Sequence, residues 1–174
     1  MMLASARFFK GSLMYSGGEP TKALAEMKEA TQQYQATGTR NYLPYFQMRI
    51  AEVYLVLGDS KNARALLDVA EEGLLRTGEY WCYAEWLRLS GQYEKIVNAD
   101  AQAERAYYQR SIADAESRGA MLWLFRTLLS LKASAVQAEE QQTIESKIQG
   151  LLHDCPELAS SNFLTQVKIP LSEH

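Results

Sequence analysis

Histidine and cysteine are scarce in this chain, with two of each in 174 residues. His153, Asp154 and Cys155 are contiguous, so their side chains leave the backbone in different directions and make neither a triad nor a metal site. His174 stands at the end of the sequence. Without a convergent acid, base and nucleophile, the expectation is no enzymatic activity, no cofactor and no metal. Cys82 and Cys155 are far apart and form no C-x-x-C pattern, which suggests two reduced, buried thiols and no disulfide framework. Long apolar runs are also lacking. The stretch from Met121 to Leu131 is broken by Arg126 and Thr127 and is too short to cross a bilayer. The first residues lack the basic, apolar and cleavage segments of a signal peptide. Basic charge is not in excess either: 18 Lys and Arg stand against 21 Asp and Glu, for a net charge of −3. The basic residues are scattered, which argues against direct nucleic-acid binding and against a polybasic membrane contact. A soluble, cytoplasmic protein is expected.

The few prolines and glycines are informative by position. Pro20 and Pro44 fall just inside apparent helix starts, where a missing N–H costs nothing. Gly17-Gly18, Gly38, Gly58, Gly78 and Gly119 each follow a helical run and suit left-handed C-caps. Asp59 or Ser60, and Asn98 or Asp100, suit N-caps. Between these marks the apolar spacing is three and four, as in Ile50, Val53, Tyr54 and Leu57. No segment alternates strictly, so no strand is expected. The predicted helices span 3–16, 20–37, 42–57, 60–76, 80–97, 100–118, 120–134 and 138–153, with a short one near 157–168.

The chain also repeats itself every 40 residues. Gly18-Glu19-Pro20-Thr21-Lys22-Ala23, then Met27, Ala30 and Thr37-Gly38, is matched by Gly58-Asp59-Ser60-Lys61-Asn62-Ala63, then Leu67, Ala70 and Thr77-Gly78. A period of this size marks stacked helical hairpins. Small residues recur in rows: Gly11, Ala51 and Gly91; Ala23 and Ala63; Ala30 and Ala70. Glycine inside a helix costs about 1 kcal/mol relative to alanine, so Gly91 points to a close helix–helix approach. The fold class expected is all-α: a helical-hairpin solenoid of three to four long repeats. It forms one domain over 1–174, with repeats near 1–38, 41–78, 80–119 and 120–153 and a cap over 154–174.

The order small residue, glycine turn, alanine, large apolar residue, alanine resembles the tetratricopeptide repeat, in a variant longer than the usual 34 residues. Three stretches carry a closer likeness: Tyr34-x-x-Thr37-Gly38 with Leu43-Pro44-Tyr45-Phe46; Ala51-Glu52-x-Tyr54-x-x-x-Gly58; and Gly78-Glu79-x-Trp81-x-x-Ala84-Glu85-x-x-Arg88-Leu89-x-Gly91. Ser117-Arg118-Gly119-Ala120 with Arg126 begins the next copy, in which Lys132 takes the place of a small residue. Together these resemble the C-terminal helical region of bacterial signalling ATPases of the STAND or AAA-like kind, linked to nucleotide cyclase or transcriptional-activator domains. The chain shows no phosphate-binding G-x-x-x-x-G-K-[ST] loop and no aspartate pair suited to a cyclase. The resemblance therefore implies a non-catalytic module for protein–protein interaction in signal transduction or transcription control. The alternative is a helical domain that senses a small-molecule effector.

In such stacks the first helix of each pair lines a concave face. By that register the lining positions are Phe8 and Tyr15; Tyr45, Met48 and Glu52; Glu85, Arg88 and Gln92; and Arg126. Glu85 would face Arg126, and Glu52 would face Arg88. One reading gives this ladder a protein or peptide partner, with the charges meeting a polar group and Phe8, Tyr45 and Met48 taking an apolar side chain. The other makes the charges interhelix salt bridges that fix stacking register, with the aromatics as core. The Lys and Asn pattern of a chaperone-binding carboxylate clamp is absent. The apolar segment Met121-Leu122-Trp123-Leu124-Phe125 calls for cover on all sides. The segments after it would supply that cover in a monomer; a homodimer is the alternative.

Overall fold

The computed structural model describes residues 1–159. The described chain is all-α. Its helices are α1 (Met2–Ser16), α2 (Pro20–Ala36), α3 (Leu43–Val56), α4 (Ser60–Thr77), α5 (Tyr83–Tyr93), α6 (Ala101–Arg118), α7 (Met121–Ser134) and α8 (Ala138–Asp154). The segment expected near 157–168 is seen only as a 3₁₀ turn over Pro156–Ala159; the rest of that expectation lies outside the described residues. No helix among them is long and apolar enough to cross a membrane.

Helix ends follow local chemistry. Asp59 accepts from the Asn62 backbone N–H at 3.1 Å, and Asp100 accepts from those of Gln102 and Ala103 at 3.0 and 2.9 Å. Each carboxylate satisfies N–H groups that a helix start leaves unpaired. At the other end, Gly78 turns left-handed at φ 69° and returns its N–H to the Leu74 carbonyl, a conformation costly for residues with a Cβ.

The helix expected over 80–97 is three elements: a 3₁₀ turn at Tyr80–Cys82, α5, and a π-helical turn at Glu94–Asn98. The repeat explains the π turn. Gly91 lies 40 residues after Ala51, but the capping Asp100 lies 41 after Asp59. One residue has been inserted between them, and a π turn absorbs one residue without breaking the helix. Ala99 then takes the left-handed conformation, φ 51°, where the earlier copy has Gly58.

The second helix of every pair buries the same row. Ala23, Met27 and Ala30 of α2 match Ala63, Leu67 and Ala70 of α4, then Glu104, Tyr108 and Ser111 of α6, then Ile144, Ile148 and Leu151 of α8. The spacing i, i+4, i+7 is one helix stripe, and it returns at intervals of 40, 41 and 40 residues.

The chain divides into two compact units, Met1–Glu79 and one that begins at Tyr80. In the first, α1 pairs with α2 and α3 with α4. A Cβ on Gly11 would lie 2.6 Å from Met27 Cγ and 3.2 Å from its backbone nitrogen, so glycine permits the approach of α1 to α2. The core is aromatic: Phe8 stacks on Phe46 at 3.9 Å between centroids, and Tyr34 meets Phe46 edge-on at 5.1 Å. In the second unit, α5 pairs with α6, and α7 packs on both α6 and α8. A Cβ on Gly91 would lie 2.8 Å from the Tyr108 ring and 3.2 Å from the Glu104 carbonyl. Phe125 and Leu128 of α7 pack with Ile144, Ile148 and Leu151 of α8 and with Leu158. This cover is one-sided: Met121 stays exposed, and Leu122, Leu124, Leu129 and Leu131 are half-buried. Lys132 points outward to an ion pair with Glu145 of α8.

Candidate functional site

The ladder expected on an open face is turned inward. Phe8, Met48 and Glu85 are 0% exposed, Arg88 1%, Glu52 3% and Arg126 4%. Tyr15 and Gln92 are also buried, and Tyr45 is half-buried beside Phe8, with ring centroids 6.5 Å apart. In the first unit, Glu52 is ion-paired with Arg49 one turn earlier, and the Arg49 guanidinium stands 5.8 Å from the centre of the Tyr15 ring.

In the second unit the charges form a buried cluster. Arg88 donates to Glu85 from Nε at 2.8 Å and from Nη2 at 2.9 Å. Arg126 Nη2 reaches Glu85 Oε1 at 3.0 Å, so the sequence alignment of Glu85 with Arg126 corresponds to a direct contact. Arg88 Nη1 also donates to Ser130 Oγ at 3.2 Å, as does Gln92 Nε2 at 3.5 Å. The row continues outward: Lys95 donates to the Ser134 hydroxyl at 2.7 Å and lies 3.7 Å from Glu104, which accepts from Ser134. Burial pushes the Tyr108 phenol above its ordinary pKa, and the Glu104 carboxylate adds to the rise. Ser111 donates to the Ala84 carbonyl at 2.7 Å and lies 2.7 Å from the Thr127 hydroxyl. Ions this far from water persist only when partners surround them. The arrangement ties α5 to α7 and offers neither oxygen of Glu85 to a substrate.

A different feature faces solvent. In the first unit, α2 and α4 form the walls of a groove and α3 its floor, enclosing about 290 Å³. Each helix contributes one stripe at helical spacing: Lys28, Thr31, Gln32 and Gln35 from α2; Gln47, Ile50 and Tyr54 from α3; Asn62, Ala65, Leu66 and Val69 from α4. A second cavity of about 170 Å³ shares Gln35, Gln47 and Val69 and adds Arg40, Leu43, Pro44, Gly73, Arg76 and Thr77. The two make one groove with an apolar floor, amide-bearing walls, Lys28 near one end, and Arg40 and Arg76 near the other.

Among the described residues, Gln32, Gln35 and Gln47 make no side-chain hydrogen bond, and Arg40 makes no ion pair. Sequence reasoning passed over these residues, because glutamines on a helix exterior read as a solvated face. Their signal was the offset: Lys28, Gln32 and Gln35 flank the buried row of α2 and border the next hairpin.

Among the described residues no three His, Cys, Asp or Glu side chains gather as metal ligands; Cys82 is buried and Cys155 half-buried, and the two form no disulfide. No protein-family model, curated protein or solved structure matches the chain.

Proposed function

We propose that this chain is a non-catalytic interaction module built as a solenoid of tetratricopeptide-like hairpins. In this reading it serves a bacterial signal-transduction or transcription-control system by binding a segment of a partner protein. The observation that carries the reading is the recurrence of one buried stripe in α2, α4, α6 and α8 at intervals of 40, 41 and 40 residues. A unit that repeats its packing positions is a unit built to stack. Such stacks present long surfaces suited to extended partners.

The burial of the ladder supports its structural role. Arg88, Glu85 and Arg126 hold α5 against α7, and Phe8 and Met48 fill core. A solvent-facing surface suited to recognition is the groove over α2, α3 and α4. Lys28, Gln32, Gln35, Asn62 and Val69 along its walls are exposed, so it is open along its length, which suits a chain segment better than an enclosed small effector.

Selection of a displayed random-peptide library on the full chain tests the reading. Enrichment of a shared motif is expected. A library that yields nothing, alongside a metabolite that raises the melting temperature, would instead support the effector-sensing alternative.

A further inference from the structure

We infer that the groove of α2, α3 and α4 takes an extended acidic peptide carrying one central apolar side chain; this rests on the interaction-module reading and names its ligand class. Charge is the first argument. The chain as a whole is acidic, with a net charge of −3. Yet among the described residues the groove lining holds Lys28, Arg40 and Arg76 and no carboxylate. Arg40 has no ion-pair partner among the described residues. Arg76 has only a long contact to Glu72, 3.8 Å, with both side chains mostly exposed. Lys28 lies 5.9 Å from the centre of the Tyr54 ring. Arg40 and Arg76 are open to further carboxylates, and Lys28 feels the nearby Asp59 charge, whereas Arg7, Arg64 and Arg105 on other surfaces are already paired with Glu26, Asp68 and Glu140.

Hydrogen-bonding capacity is the second argument. A primary amide offers two donors and one acceptor oxygen, which matches the alternating N–H and C=O of an extended backbone. Gln32 and Gln35 on the α2 wall and Gln47 on the α3 floor hold three such amides unengaged among the described residues. The third argument is the floor. Ile50 is buried at its base, and Leu66 and Val69 flank it, with Val69 47% exposed. One aliphatic side chain fits there beside the amides of Gln32, Gln35 and Gln47.

The α4 wall from Asn62 to Thr77 is about 22 Å long at 1.5 Å per residue. That length accommodates about six or seven extended residues. A nucleic-acid strand suits the groove less: Tyr54 is its one aromatic lining residue, and the three cations lie toward its ends, unlike the continuous basic track that phosphates require.

The test uses the full chain and a fluorescein-labelled eight-residue peptide of glutamate and serine with one central leucine. Its lysine-for-glutamate counterpart, its leucine-to-serine counterpart and a single-stranded oligonucleotide serve as competitors. Fluorescence anisotropy is expected to show saturable binding of the acidic peptide that weakens with salt. The double variant Arg40→Glu/Arg76→Glu should bind roughly tenfold or more weakly, given the usual worth of exposed charge pairs. Lys28→Glu should weaken it less, and the leucine-to-serine peptide should compete poorly. These positions are exposed, and circular dichroism establishes that each variant folds as the wild type does. Equal binding of the basic peptide, binding unchanged in the double variant, or displacement by the oligonucleotide would each overturn the inference. Library selection that enriches peptides without acidic bias would overturn this ligand class while leaving the interaction-module reading standing. Selection that enriches nothing would remove both.

Discussion

The two units solve the same packing problem with opposite chemistry. Both pair helices around a glycine in the first helix, Gly11 or Gly91, that admits a residue of the second, Met27 or Tyr108. Around that shared contact the first unit fills its interior with stacked rings and aliphatics, with Arg49 and Glu52 as a buried ion pair among the described residues. The second places Glu85, Arg88, Arg126, Gln92 and Ser130 at buried positions and joins them by hydrogen bonds and ion pairs, and pairs buried Glu104 with Ser134. Where α2 and α4 have alanine in the buried row, α6 has Glu104 and Ser111. Apolar packing is tolerant of change and additive in area. An ionic interior is intolerant of losing one member, because the remainder is left charged and dry.

The sharpest way to break this comparison is to remove one charge. Glu85→Ala leaves two buried guanidinium groups without their shared carboxylate and should cost about 3–5 kcal/mol. Trp81, Trp86 and Trp123 are the only tryptophans and all belong to the second unit. Tryptophan emission during urea unfolding therefore reads that unit. A loss under 1 kcal/mol would show that water reaches the cluster.

Phe8→Ala in the first unit should cost a comparable amount, about 3–5 kcal/mol, through the cavity left beside Phe46. Here a volume-conserving change, Phe8→Leu, should recover most of it. Circular dichroism melting measures both, and equal melting temperatures for the two variants would argue against a tightly stacked ring pair.

Gly91→Ala should destabilise the second unit by about 1–3 kcal/mol, despite alanine's higher helix propensity. The added methyl would meet the Tyr108 ring and the Glu104 carbonyl, and Tyr108 is 1% exposed with little room to move. Stabilisation of the variant would mean that the two helices separate freely.

Titration gives the smaller effects. Tyr108 carries a raised pKa in the folded chain, by burial first and the Glu104 charge second. Its contribution is fully present below the unfolded phenol value of about 10. It is lost as pH rises from there toward the folded pKa, because the folded state holds the proton longer. Stability should therefore fall above about pH 10, and Tyr108→Phe should flatten that fall in an alkaline series of urea melts. An identical slope in the variant would place the loss elsewhere. The smallest change comes at low pH. Glu26 is held below its ordinary pKa by Arg7, and Glu140 by Arg105. The stability these half-buried pairs add is present above the ordinary carboxylate range and is lost as pH falls through the lowered values. An acid melt should show only a shallow decline from them, removed by salt.

Much of the helical framework was legible because its signals are local. Asp59, Asp100, Gly78 and Pro20 mark helix ends through their own backbone chemistry, and the row of Gly11, Ala51 and Gly91 announced close approach. The π turn was hidden, since a one-residue insertion shows only when the interval from Ala51 to Gly91 is set against that from Asp59 to Asp100. The contact of Glu85 with Arg126 could be read from repeat alignment, but its depth could not. A periodic stripe marks one side of a helix and is silent on whether water or another helix lies against it. Gln35 and Gln47 were illegible for the converse reason: their significance depends on two hairpins meeting, and no pattern within one helix encodes that.

The buried charges of the second unit hold α5 against α7, so their role is structural. Urea unfolding of Glu85→Leu/Arg88→Leu/Arg126→Met, followed by tryptophan emission beside Glu85→Ala, tests it most directly. A structural cluster replaced as a set should leave the midpoint near or above that of the wild type and well above that of the single variant. A set variant as weak as Glu85→Ala would contradict the claim, and would mean that these charges have obligations beyond each other.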